Sequence, residues 1–132
     1  MTKVIINVAV GVIKKNNNVF ICKRADEQHQ GGLWEFPGGK QEPGEAIVQT
    51  IARELQEELA IEVAVGEEPI SLDHAYSHKK LRFVVHLCQW QKGEPQPLAS
   101  QQVRWVRPES LADYPFPAAN ARIIAALLEH VS

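Results

Sequence analysis

The stretch EAIVQTIARELQEEL, residues 45 to 59, constrains this chain most, because only one side of it can be buried. At about 100° per residue, Ile47, Ile51, Leu55 and Leu59 fall in one arc with Val48 beside them. The spacing predicts a helix from about Glu45 to Leu59 lying on a sheet. Glu54, Glu57 and Glu58 follow i+3 and i+4 spacing, so their carboxylates gather on the adjacent face. There they repel one another by roughly a few tenths of a kcal/mol per pair. Glu58 borders the apolar arc. A solvated acidic face is the ordinary meaning of such a cluster, but here a glycine loop, PGGKQEPG at 37 to 44, leads straight into the helix.

The rest of the chain supplies the sheet. Residues 3 to 13 are rich in Val and Ile, KNNN at 15 to 18 reads as a turn, and VFICKR at 19 to 24 reads as a returning strand. LWEF is a short extended piece, and the glycines and prolines of PGGKQEPG predict no regular structure there. Further strands are expected near 61 to 65, 70 to 77, 81 to 90 and 101 to 106. In PAANARIIAALLEHV, Ile123, Ile124, Leu127, Leu128 and Val131 keep helical spacing. The order of elements suits a mixed sheet covered by two helices.

Composition limits the function. A length of 132 residues suits one domain spanning 1 to 132, and a formal charge of −2 offers no global basic field for nucleic acid. Any polyanion must be held locally. Cys22 and Cys88 are too few for a disulfide scaffold, and the N-terminus lacks the pattern of a signal peptide. A cytoplasmic protein is expected, with no membrane partner, since no apolar run nears the roughly 18 to 20 residues of a membrane span.

Three carboxylates converging on one rigid helix are oxygen ligands of the kind Mg²⁺ takes. Gly38 and Gly39, lacking side chains, can bring backbone groups to the same spot, and Lys40 is within reach of a phosphate. The phosphate-cradling pattern G-x-x-x-x-G-K-[ST] is absent. From Gly39, five residues lead to Glu45, seven more lead to Arg53, and RELQEELAI follows. This resembles the Nudix box G-x5-E-x7-R-E-U-x-E-E-x-G-U, with U a bulky aliphatic residue. The flanking GLWEFPGGK and the late YPFPAAN look like the MutT branch. One position departs: the box glycine is Ala60, and a left-handed exit there would cost a residue with a Cβ roughly 1 to 2 kcal/mol.

The resemblance implies an α/β/α sandwich, an α+β fold with a mixed sheet packed between helices. It implies a Mg²⁺-dependent pyrophosphohydrolase, with Mn²⁺ as the substitute ion. Glu54, Glu57 and Glu58 would coordinate the metal with the Gly38 or Gly39 carbonyl, while Glu45 and Arg53 would hold loop to helix. Water would attack a phosphorus of the diphosphate bridge, with Glu54 the first candidate for general base. Many relatives bring another glutamate from the loop before the last strand, where this chain has Gln101 and Gln102, with Glu94 further back.

Lys23 and Arg24 are the candidate phosphate cations, Arg24 the better of the two. Asn120 can donate and accept together, which suits a purine edge, and Phe36, with Leu81, would line the base slot. The substrate implied is a nucleoside triphosphate, foremost 8-oxo-dGTP cleaved to 8-oxo-dGMP and pyrophosphate for nucleotide-pool sanitation. CTP, another modified nucleotide and ADP-ribose are the alternatives. No stable nucleic-acid partner is expected, and the protein is read as a monomer or homodimer. HAYSH at 74 to 78 places His74, Tyr76 and His78 on one side of a strand, but zinc would need a third ligand that the sequence does not identify. The same stretch resembles a segment in the non-hydrolytic Nudix-like domain of adenine glycosylases, so a damaged-nucleotide-binding module is the rival reading.

Overall fold

In a computed structural model, residues 4 to 131 are described, with side chains through residue 129. Lys3, expected to open the first strand, and the Val131 side chain lie outside the described residues. The elements run β1 (Val4–Lys15), β2 (Asn18–Lys23), β3 (Trp34–Glu35), β4 (Gly38–Lys40), α1 (Ile47–Leu59), β5 (Glu62–Val65), β6 (Ile70–Ala75), β7 (Lys79–Lys92), β8 (Gln102–Val106) and α2 (Ala121–Val131). Two 3₁₀ turns, Pro108–Asp113 and Ala118–Asn120, precede α2. The fold is the expected α+β arrangement of a mixed sheet between helices.

The centre of the sheet is the parallel pair of β1 and β7, in register from Val4↔Lys79 to Lys14↔Gln89. The antiparallel β6 and β5 both hang on β7, along its first and second halves respectively. On the other side, β1 and β2 pair only beside their turn, at Lys14↔Val19 and Lys15↔Asn18. Beyond that they part, and residues 34 to 40 fill the gap. Here β3 pairs with β2, β4 pairs with β1, and Gly11 N–H donates to Pro37 O at 2.9 Å.

Strand alternation assigns the two faces. Ala9 and Ile13 of β1 join Phe20, Ile51, Leu55, Leu59 and Ile61 under α1. Val10 and Val12 join Ile21, Val85, Leu111, Ile123 and Leu127 under α2. Gly11 also faces α1, where a Cβ would stand 3.3 Å from Ile51 Cγ2 and 3.4 Å from Leu55 Cδ1.

Several local expectations change. Gly38–Lys40 forms a strand where the glycines and prolines predict none, because Pro37 and Pro43 flank the paired residues and glycine permits the backbone to come close. At Gly38, φ is 153°, and a Cβ would fall on the Ala9 carbonyl. The first helix opens at Ile47, leaving Glu45 outside it. β6 stops at Ala75 and β7 starts at Lys79, so His78 sits in the turn between them. The 3₁₀ turn at Pro108–Asp113 carries no apolar periodicity long enough to read in sequence; its Leu111 is buried and Pro115 O accepts Trp34 N–H at 2.8 Å.

Candidate active site

The helix α1 opens without a side-chain cap from Ala46, whose N–H instead donates to Gln49 Oε1 at 2.8 Å. Glu45, one residue earlier, accepts from Thr50 Oγ1 at 2.7 Å and from Arg53 through two bonds, Nε to Oε2 at 2.7 Å and Nη2 to Oε1 at 3.0 Å. These bonds hold the Glu45 carboxyl down at about 2, the Arg53 pair contributing most. The remaining Arg53 nitrogen, Nη1, donates to Glu54 Oε1 at 2.9 Å and Glu57 Oε2 at 3.3 Å. One guanidinium therefore connects the loop to the acidic face.

The far end of α1 turns out through Ala60 at φ 58° and ψ 40°, the left-handed conformation that the box glycine would have adopted freely. Two amides from the loop between β7 and β8 satisfy carbonyls left over in the last turn. Gln96 N–H donates to Leu59 O at 2.9 Å and Leu98 N–H to Glu58 O at 3.2 Å.

Of the three acids, Glu54 has 17% of its side chain exposed and Glu57 59%, so Glu57 stands on the solvent side. Glu58 is pushed up to about 8, chiefly by burial, then by the neighbouring carboxylates of Glu54 and Glu35. The Gly38 N–H, 3.3 Å from Glu58 Oε2, opposes that shift. Burial likewise raises Glu54, against the pull of Arg53. Gly39 packs on Glu54 so tightly that a Cβ would lie 2.5 Å from its Cδ. Among the described residues, no three acidic, imidazole or thiol groups form a ready-made coordination sphere, and Glu54 and Glu57 are each bonded to Arg53. The donor set still fits a hard divalent cation: the carboxylates of Glu54 and Glu58 crowd beside the glycine backbone of Gly39 and Gly38, and oxygen is the ligand such an ion takes.

Gly38 and Gly39 also line a cavity of about 300 Å³. Arg24, Phe36, Lys40, Leu81 and Asn120, all singled out from the sequence, share its walls. Phe36 is buried and stacks on Phe116 with ring centroids 5.4 Å apart. Asn120 ends the second 3₁₀ turn, its N–H donating to Pro117 O at 2.9 Å. Lys23 lines neither this cavity nor a smaller one of about 90 Å³ beside Glu58. Cys22 lines the smaller one, and alternation along β2 turns its successor the other way.

Sequence reading missed Glu35, Gln30, Tyr76 and Lys79, which also line the larger cavity. Glu35 receives Arg24 Nη1 on both oxygens, at 3.0 and 2.8 Å, and this pair borders both cavities. A charged residue between buried Trp34 and Phe36 was the available signal. The Gln101 carboxamide ties two loops together, donating to Arg24 O at 2.7 Å and to Asp26 Oδ1 at 2.9 Å. Glu94 is exposed.

Residues 8 to 126 match the NUDIX domain family. The chain is 34% identical over 127 residues to the CTP pyrophosphohydrolase of Escherichia coli K12, covering 93% of this chain and 91% of that protein. It is 35% identical over 123 residues to the 8-oxo-dGTP diphosphatase of the same organism, covering 92% and 95%. The solution structure of the E. coli ORF135 protein superimposes with a TM-score of 0.82 at 32% identity, covering 96% of this chain and 91% of that one. This chain belongs to the NUDIX domain family, as a MutT-like Nudix hydrolase.

Proposed function

We propose that this protein hydrolyses 8-oxo-dGTP to 8-oxo-dGMP and pyrophosphate in a Mg²⁺-dependent reaction. The observation that carries the reading is the double role of one backbone segment. Gly38 and Gly39 line the larger cavity and also meet the acidic cluster, Gly38 N–H lying 3.3 Å from Glu58 Oε2 and Gly39 packing on Glu54. A base held in that cavity has its phosphates delivered to the acidic cluster. The E. coli relative named 8-oxo-dGTP diphosphatase, matched over 92% of the chain, supports this substrate.

In this reading Glu54, Glu57 and Glu58 hold the metal together with glycine backbone from Gly38 or Gly39, and Mn²⁺ substitutes for Mg²⁺. The cation supplies charge neutralisation at the diphosphate and a lowered pKa for the attacking water. Arg53 and Glu45 orient the ligands, and Glu54 is the candidate general base. Arg24 and Lys40 meet the phosphates, and Lys23, on the opposite strand face, serves at most as distant positive charge. Phe36 gives the base an apolar wall and Asn120 reads its edge. A single domain, 1 to 132, acting in the cytoplasm as a monomer or homodimer without a nucleic-acid partner completes the proposal.

The test is kcat/KM across ordinary and oxidised nucleoside triphosphates, with pyrophosphate release followed in wild type, Glu57→Gln and Asn120→Ala. A preference for 8-oxo-dGTP over dGTP, reduced in Asn120→Ala, is expected, with release abolished in Glu57→Gln. Full release by Glu57→Gln contradicts the metal assignment, and equal use of dGTP contradicts the substrate. CTP is the second reading, favoured by the 34% identity to the E. coli CTP pyrophosphohydrolase, and the same panel decides between them. Hydrolysis in ¹⁸O-labelled water locates the phosphorus attacked.

A further inference from the structure

Gln30 lines the same cavity, and its backbone is in an unusual state: φ is 58°, the left-handed region that disfavours any residue with a Cβ. A glycine follows directly at position 31, yet the left-handed position falls on glutamine. The surrounding loop is fastened on every side. Arg24 Nε donates to His29 O at 2.8 Å, Gly31 N–H to Gln28 O at 2.9 Å, Gly32 N–H to Arg24 O at 3.1 Å and Leu33 N–H to Gln30 O at 3.3 Å. At Gly31 a Cβ would run into the Asp26 carbonyl. These bonds hold the loop around Gln30 in place, and a left-handed residue lining a binding cavity is a candidate for function.

The hydrogen-bonding inventory of the cavity says what the side chain is for. Among the described residues Glu35 is the carboxylate on its walls; it accepts Arg24 on both oxygens and, ionised, cannot donate. Arg24, Lys40 and Lys79 can only donate. Groups able to donate and accept are the carboxamides of Gln30 and Asn120 and the Tyr76 hydroxyl. A nucleobase edge alternates donors and acceptors, so its N–H groups need such partners.

We propose that Gln30 is a base-reading residue, its carboxamide hydrogen-bonding the edge of the substrate's nucleobase in company with Asn120. This deepens the functional reading above and rests on it for the identity of the base, foremost an oxidised purine. The experiment measures kcat/KM over a panel of bases, and over matched ribo- and deoxyribonucleotides, together with the melting temperature, for wild type, Gln30→Ala and Gln30→Gly. Both variants should lower the preference for the favoured base by roughly 3 to 10-fold, the loss of one neutral hydrogen bond. Gln30→Gly should also melt higher than Gln30→Ala, because it alone removes the steric penalty of a Cβ in the left-handed region. A base preference changed by less than twofold in both variants overturns the proposal. So does a shift confined to the ribose-to-deoxyribose ratio, or a wild type that prefers no base. Should the wild type favour a base other than oxidised guanine, the 8-oxo-dGTP reading falls, while Gln30 is judged by whether the variants flatten that other preference.

Discussion

Arg53 and Glu45 face each other as a two-pronged pair, Nε to Oε2 at 2.7 Å and Nη2 to Oε1 at 3.0 Å, with the third Arg53 nitrogen on Glu54. The pair binds the glycine loop to the helix and sets where Glu54 points. Glu45→Gln should therefore lower kcat/KM about 10 to 100-fold, the usual cost of losing a partner that orients metal ligands. Arg53→Lys should cost a similar amount, since an ammonium cannot reproduce the planar fork. Steady-state kinetics under Mg²⁺ titration measure both, and activity within twofold of wild type would detach the pair from the site.

The same carboxyl predicts a pH dependence of stability. Glu45 titrates at about 2 in the folded protein and near 4.3 in an unfolded chain. Its folded value is depressed, so its contribution is fully present above the unfolded value and is lost as pH falls toward about 2. The melting temperature of wild type should exceed that of Glu45→Gln by a constant margin between pH 5 and 8, and the margin should shrink below about 4.3. A margin that widens on acidification contradicts the pairing.

Gly38 and Gly39 should respond differently to the same added methyl. At Gly39 it meets the end of a flexible side chain, Glu54, 2.5 Å from Cδ. Gly39→Ala should fold with little change in melting temperature and lose about 10 to 100-fold in Mg²⁺ affinity or activity, because the ligand is displaced. At Gly38 the methyl meets the Ala9 carbonyl, which belongs to the sheet and cannot swing aside, so Gly38→Ala should destabilise the fold itself. Circular dichroism melts beside metal titration separate the two, and a Gly39→Ala protein with wild-type Mg²⁺ binding would remove Gly39 from the site.

The parts legible in sequence were those set by one short period. The apolar arc of α1, the acids beside it and the spacing from Gly39 to Arg53 all follow from 3.6 residues per turn. Pairing between distant segments was not legible. The strand at Gly38–Lys40 exists because β1 and β2 diverge and leave room for it. Glu35 reaches the site through the pairing of β3 with β2, where it stands opposite Cys22 and accepts Arg24. Lys23 and Arg24 differ by one residue, yet alternation and the end of β2 bring only Arg24 to the cavity.

Ala60 offers the most direct check on backbone geometry. It sits at φ 58°, where its Cβ costs roughly 1 to 2 kcal/mol, and no Cβ is needed there for glycine. The exit is fixed from outside, since Gln96 and Leu98 donate to the carbonyls of Leu59 and Glu58, so the helix does not escape the penalty by ending otherwise. Ala60→Gly removes it but adds conformational freedom to the unfolded chain, worth about 0.4 to 1 kcal/mol in the opposite direction. The net expectation is a gain of about 0 to 1.6 kcal/mol, read as a higher urea midpoint at unchanged m-value. Activity should stay as in wild type, because the carboxylates of α1 precede the exit. A lower midpoint for Ala60→Gly would mean that alanine is at ease in this conformation and that the helix leaves by a different route.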